Sequence, residues 1–274
     1  MNPSFNIRST GIDTRNAQLL VEAGSPGISF IVLDGSNCFT DLVIYSFPQD
    51  MNSAGIAEQI QAIFSEEKLL QASYKKINIS WTFPESILVP NEFAKTGSYK
   101  DMLDLVYGDA GNNEVKTDFI FQQNIHNIYR IPAAAIAALP STLQYTPQTH
   151  QYSLLQATGN TNDQLKVIFY NSCLTLMLTS GGKLSLVQHY KYQNPDDAAY
   201  YLLNACESFG LVPGATILHA SGMIDTTSNL YTALYKYFMN IELADLPSGV
   251  SYAEEIKNYP THFFSHLFTL ATCV

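Results

Sequence analysis

The sequence predicts an α/β protein in which one unit of order βββαβαβα is used twice. Three observations carry this. Residues 165–190 hold three short β-type runs separated by turn residues, a helix with complete start and stop signals follows them, and the first half of the chain can be laid over the same plan.

In the second half the runs are Leu165–Tyr170, Leu174–Thr179 and Leu184–Tyr190, with Ser180-Gly-Gly-Lys183 as the tight turn between the last two. This is an antiparallel meander. Asn194 can cap the next helix, Pro195 suits its first position, Asp196 and Asp197 match its positive end, and Gly210 stops it. Ala199, Leu202, Leu203, Cys206 and Phe209 recur at helical spacing and must face a sheet. A strand at Ala215–His219, a helix carrying Leu230, Leu234, Tyr237 and Phe238, a strand at Met239–Leu243 and a helix from Pro260 that buries Phe263, Phe264, Leu267 and Phe268 complete the unit.

The first half repeats the series. Leu19–Glu22, Ile28–Leu33 and Leu42–Phe47 form its meander, divided by Gly24-Ser-Pro-Gly27 and Asp34-Gly-Ser-Asn37. A helix with Ile56, Ile60, Ile63 and Phe64 leads to a strand at Ile77–Phe83. Ser98 with Asp101 opens a helix that ends at Gly108, and a strand near Phe119–Ile131 and a short helix between Pro132 and Pro140 follow. Residues 141–164, rich in Thr, Gln, Ser and Asn, read as the connection, so the lobes are expected at 1–142 and 143–274.

Composition narrows the function classes. Fourteen Lys+Arg against 24 Asp+Glu give a net charge of −10, with arginine only at positions 8, 15 and 130. Nucleic-acid binding draws its affinity from basic side chains, so a nucleic-acid partner is excluded. A chain that is 46% hydrophobic and 14% charged folds around a core. Its N-terminus, MNPSFNIRSTGIDTRN, lacks the basic start and apolar stretch of a secretory signal, and the longest low-polarity run, Ala133–Leu139, is far short of a membrane span. Cys38, Cys173, Cys206 and Cys273 form no C-x-x-C pair. A cytoplasmic protein with no membrane association and no metal centre is expected.

Particular stretches carry a resemblance. Ser86-Ile-Leu-Val-Pro-Asn-Glu-Phe93, Asn127-Ile-Tyr-Arg-Ile-Pro132, the run from Phe169 through Tyr192 into Pro195-Asp-Asp-Ala-Ala-Tyr-Tyr-Leu-Leu203, Leu218-His-Ala-Ser-Gly-Met-Ile224 and the closing His262-Phe-Phe-Ser-His-Leu-Phe-Thr-Leu-Ala-Thr-Cys273 resemble an uncharacterised bacterial domain-of-unknown-function family. That family is placed in the actin, sugar-kinase and heat-shock-chaperone superfamily. The resemblance covers nearly the whole chain. It implies duplicated ribonuclease-H-like (actin-like) units forming two lobes with a cleft between them, and it brings no assigned activity.

In active members of the superfamily a D-x-G type loop between the first two strands of each half holds phosphate and orders a metal, and a Gly-rich turn contacts adenosine. The matching stretches here are Glu22-Ala-Gly-Ser-Pro-Gly27, Tyr170-Asn-Ser-Cys-Leu174 and His219-Ala-Ser-Gly-Met223. The first has glycines and a nearby acid but no Asp in the usual setting, the second has neither Asp nor Gly, and the third has one glycine where two are usual. Gly24, Ser25, Gly27, Asn171, Ser172, Ser221 and Gly222 are the candidate cleft residues, with no catalytic or metal-binding residue assigned.

Other chemistries fare worse. Asp34-Gly35 sits where a hairpin needs a D-G turn. A two-metal nuclease needs converging acids, and Ile77–Phe83 has none. His262 and His266 share zinc-helix spacing, but Phe263 stands where H-E-x-x-H needs its Glu, so packing is expected. His189 and His219 read as strand residues, Cys173 has no adjacent base, and no G-x-S-x-G elbow exists. The surplus of 17 Tyr and 15 Phe exceeds what the helix stripes can bury, and tyrosine is enriched at interface hot spots.

Two readings follow, and the balance is against an enzyme. The first is a non-catalytic scaffold or protein-interaction module that binds a protein partner or itself and uses no cofactor. The second is a degenerate nucleotide-binding protein or phosphotransferase, with ATP and magnesium between the lobes.

Overall fold

The computed structural model describes residues 1–9, 13–95, 97–156 and 164–273. They divide into two compact units: Met1–Thr158 with Gly249–Asn258 and Leu270–Val274, and Gly159–Ser248 with Tyr259–Thr269.

The first unit opens with β1 (Phe5–Ile7), β2 (Gln18–Gly24), β3 (Gly27–Leu33) and β4 (Cys38–Ser46), then α1 (Ser53–Glu66) and β5 (Lys76–Thr82). Alternate residues point to one face, so Leu19, Val21 and Ala23 of β2, Phe30 of β3 and Trp81 of β5 meet Ile56, Ile60, Ile63 and Phe64 of α1 in one core. The Asn52 side chain caps α1 by accepting from the Gly55 amide at 2.8 Å. At the other end of α1, the Glu67 carboxylate is fully enclosed at the negative pole of the helix, an unfavourable place for an anion. Arg8 Nη2 at 2.8 and 3.0 Å, the Tyr45 hydroxyl at 3.1 Å and the Leu69 amide at 2.9 Å all donate to it and offset that cost.

The chain then adds β6 (Ser86–Pro90), α2 (Tyr99–Tyr107), β7 (Asn113–Ile120), β8 (Ile125–Pro132), α3 (Ala133–Ala137), β9 (Gln148–His150) and α4 (Gln151–Gln156). The single strand expected near 119–131 is a hairpin, β7 and β8, closed by a left-handed Asn124 at φ 53°, and with β6 it forms a separate three-stranded sheet. The fifth strand of the main sheet is β9, parallel to β5 within the stretch read as a connection. Residues 157–163 of that stretch lie outside the described residues. Ser98 makes no side-chain cap to α2; its hydroxyl donates to the Lys95 carbonyl at 2.9 Å.

The second unit follows its expected order closely: β10 (Gln164–Phe169), β11 (Cys173–Ser180), β12 (Lys183–Lys191), α5 (Pro195–Ser208), β13 (Ile217–Gly222), α6 (Asn229–Tyr235) and β14 (Asn240–Leu243). Gly181 and Gly182 take φ 58° and 72° in the β11–β12 turn. Asn194 and Asp197 form a capping box on α5, Asp197 N donating to Asn194 Oδ1 at 3.0 Å and Asn194 N to Asp197 Oδ2 at 3.2 Å. Replacing Asn194 by Ala is expected to cost about 1 kcal/mol, read as a lower urea midpoint. Strand β13 starts two residues later than expected because Thr216 closes a turn onto the Val212 carbonyl at 2.9 Å, and α6 stops before Tyr237.

The chain then forms β15 (Ser251–Tyr252), α7 (Glu254–Lys257) and α8 (Thr261–Thr272). Strand β15 lies parallel on β4 of the first unit, and Tyr252 stacks on Phe39 with centroids 5.5 Å apart. The boundary at 142/143 therefore gives way to a first unit that runs further and takes back Gly249–Asn258. The main sheets have orders β4-β3-β2-β5-β9 and β12-β11-β10-β13-β14, which is third–second–first–fourth–fifth in both. Both third strands carry a one-residue bulge at matching places, Thr40 and Ser185. No described helix is long and apolar enough to cross a membrane.

Candidate functional site

The turn after β2 places Gly24, Ser25 and Gly27 together, and packing explains both glycines. Gly24 pairs with Gly27 and, in parallel, with Thr82. A Cβ on Gly24 would lie 2.7 Å from the Thr82 carbonyl carbon, and one on Gly27, at φ 151°, would lie 2.0 Å from the Tyr45 carbonyl oxygen. Backbones approach here too closely for any side chain.

The acid that precedes this turn is Glu22, flanked on the sheet by Ser29 and Ser80. Burial pushes its carboxyl up to about 8, against which the Gln151 amide, donating to Oε2 at 3.0 Å, acts only weakly. Near neutral pH the buried Glu22 carboxyl is therefore largely protonated.

In the second unit, Tyr170 N donates to the Cys173 carbonyl at 2.8 Å and closes the turn bearing Asn171 and Ser172. Ser221 and Gly222 lie beside it, paired with Ile168 and Phe169 of β10. Gly222 has φ 82°, and a Cβ there would stand 2.1 Å from the Phe169 carbonyl oxygen. The Ser221 hydroxyl faces the Val167 carbonyl at 3.4 Å. Burial pushes the Cys173 thiol up to about 12, so it is no nucleophile at neutral pH. His262 Nε2 meets the Ile224 carbonyl at 2.7 Å, and burial lowers His266 to about 3. Among the described residues no three His, Cys, Asp or Glu side chains come together as a metal group. Each set of candidates is thus assembled inside its own unit.

The sequence reading missed a cavity of about 500 Å³ in the first unit, bordered by Ser25, the start of α1, Glu85 and Arg130. Its volume suits a small ligand. Its charge does not suit phosphate. The Arg130 guanidinium, 3% exposed, donates to Glu85 Oε2 at 3.1 Å, Asp104 Oδ1 at 2.8 Å and the Gly108 carbonyl at 2.9 Å, so two carboxylates already answer one cation. An arginine between Tyr129 and Ile131 in a stretch of strand-forming residues was the available signal, since a buried guanidinium demands partners. Replacing Arg130 by Met is expected to cost about 2 kcal/mol, because Glu85 loses its cation while Asp104 keeps Lys100, measurable by chemical denaturation.

Comparison with known proteins gives a family and a fold. A family model described as "Protein of unknown function (DUF3822)" matches residues 9–241. No curated protein matches the sequence. Among solved structures, a Bacteroides thetaiotaomicron protein with actin-like ATPase fold and unknown function is similar at TM-score 0.76, with 15% identity over 95% of this chain and 99% of that one. The PilM-PilN type IV pilus biogenesis complex contributes a chain similar at TM-score 0.57, with 12% identity over 94% and 98%. The cytoplasmic domain of EpsL from Vibrio cholerae, an inner membrane component of the type II secretion system, reaches 0.43, with 11% identity over 92% and 99%. The duplicated sheets described above are thus those of the actin-like ATPase fold.

Proposed function

For a chain that belongs to the DUF3822 family, whose function is unknown, we propose a non-catalytic actin-like protein that works by holding a protein partner. One observation carries the first part. At the places where this fold holds phosphate and metal, the glycines serve backbone packing, the turn at 170–173 has no carboxylate, and Glu22 is buried with its amide partner Gln151.

The partner is supported by what the units leave uncovered. Phe93, Phe119 and Phe121 are 60%, 46% and 80% exposed around the three-stranded sheet, and Tyr200, Tyr235 and Tyr237 are exposed on the second unit. A chain of similar fold belongs to the PilM-PilN type IV pilus biogenesis complex. Affinity capture and light scattering on the purified chain test this reading; a strict monomer that recovers nothing from lysate removes it.

The competing reading, binding of ATP with magnesium, has the fold and the cavity beside Ser25 in its favour. Calorimetry with millimolar ATP and magnesium is expected to give no heat and no rise in melting temperature. Saturable heat would reverse the order of the two readings.

A further inference from the structure

The third strand stands at an edge of both main sheets, and the two edges are treated differently. In the first unit β4 is covered: β1 lies antiparallel on Leu42–Ile44, and β15 lies parallel on Cys38 and Phe39. In the second unit β12 ends its sheet, and among the described residues no strand lies on its outer side. A long bare edge is a template for another strand.

The devices that blunt such an edge are incomplete here. Between Lys183 and Lys191 there is no proline and no formal charge except what His189 gains on protonation, and burial holds His189 down at about 4. The bulge at Ser185 does not forbid docking, because the matching bulge at Thr40 leaves β1 free to pair beginning two residues downstream. The same offset on β12 selects Val187–His189. Beside this edge Tyr190 stacks on Tyr201 with centroids 4.3 Å apart and planes 11° from parallel, and Tyr201 meets the exposed Tyr200 edge-on at 5.7 Å. An aromatic shelf therefore adjoins the strand.

We propose that β12 receives an extended acidic segment of a partner protein, which adds antiparallel across Val187–His189, rests apolar side chains on the Tyr200–Tyr201 shelf and brings carboxylates to Lys183 and Lys191. Main-chain bonds supply affinity in this mode, and alternate side chains supply specificity. The two lysines choose the partner. A second copy pairing antiparallel about Val187 would set Lys183 against Lys191 twice. An acidic strand meets the same lysines favourably. The proposal rests on the partner-binding reading and names its surface.

The test places a photo-cross-linking residue at Ser185, exposed at the bulge, and at Tyr235 in a second chain, each exposed to lysate of the native organism. Captured segments are identified by mass spectrometry and remade as synthetic peptides. Capture at Ser185 of an acidic extended segment is expected. Its peptide should bind the unmodified chain and lose about tenfold or more with K183E/K191E, while K95E/K236E, an equal change in net charge elsewhere, has little effect. Capture of a second copy, capture of a segment without acids, or equal losses with both double variants overturns the proposal. Capture at Tyr235 alone overturns it while sparing the partner-binding reading, and capture at neither position sinks both.

Discussion

Glutamine in place of Glu22 is expected to raise stability at pH 9 and to leave it nearly unchanged at pH 4.5. The folded chain holds the Glu22 proton up to about 8 because burial disfavours the anion, whereas the unfolded chain releases it at the ordinary value of 4.5. Stability from the neutral carboxyl is complete below 4.5 and is lost as pH rises through 8. The loss across that window is at most ~5 kcal/mol. Glutamine keeps an oxygen for the Gln151 amide and never ionises, so its profile should be flatter over the same window. Urea midpoints at pH 4.5, 7 and 9 decide the matter. Parallel profiles would mean that Glu22 titrates in the folded protein as it does in the unfolded chain.

Alanine in place of Gly222 is expected to cost about 3 kcal/mol or more, enough to unfold a marginal domain. Two independent penalties coincide. The backbone has φ 82°, where side chains are strained, and the new Cβ would stand 2.1 Å from the Phe169 carbonyl oxygen, a backbone atom held in the β10–β13 ladder. Circular dichroism and guanidinium denaturation would show an unfolded or strongly weakened chain. A variant that folds normally would mean that β10 can yield at Phe169, and would reopen a role for the glycine in ligand contact.

What could be read from the sequence follows from where the information lies. The meander of β10, β11 and β12 and the punctuation of α5 were legible because each signal is local: a Gly-Gly turn, an Asn-Pro-Asp-Asp start, an apolar stripe. The sheet of β6, β7 and β8 was not. Its strand β7 turns Lys116 and Asp118 inward, where Lys116 Nζ donates to Gln148 Oε1 at 2.7 Å and Asp118 accepts from the His150 amide and the Ser153 hydroxyl, both at 2.8 Å. Polar residues on the buried side erase the alternation that marks a strand. Strands β9 and β15, three and two residues long, fall below any periodic signal.

The candidate site divides in the same way. The turn at Gly24–Gly27 was legible from its glycines and the turn at Asn171–Ser172 from strand order alone. The reasons for the glycines were not, because they depend on Thr82, Tyr45 and Phe169, which lie on other strands. Arg130 was visible as an oddity, while its partners Glu85 and Asp104 come from 45 and 26 residues away.

The return of Ser251–Tyr252 to β4 bears on the order in which the protein matures during synthesis. A ribosome delivers residues from the N-terminus, so Phe39 waits through the making of more than two hundred residues before Tyr252 arrives to cover it. Contacts of such long sequence separation close late and slowly. Until then the nascent first sheet shows an incomplete edge at Cys38 and Phe39. That interval is when the chain is most open to chaperones and to pairing with a neighbour on the same message.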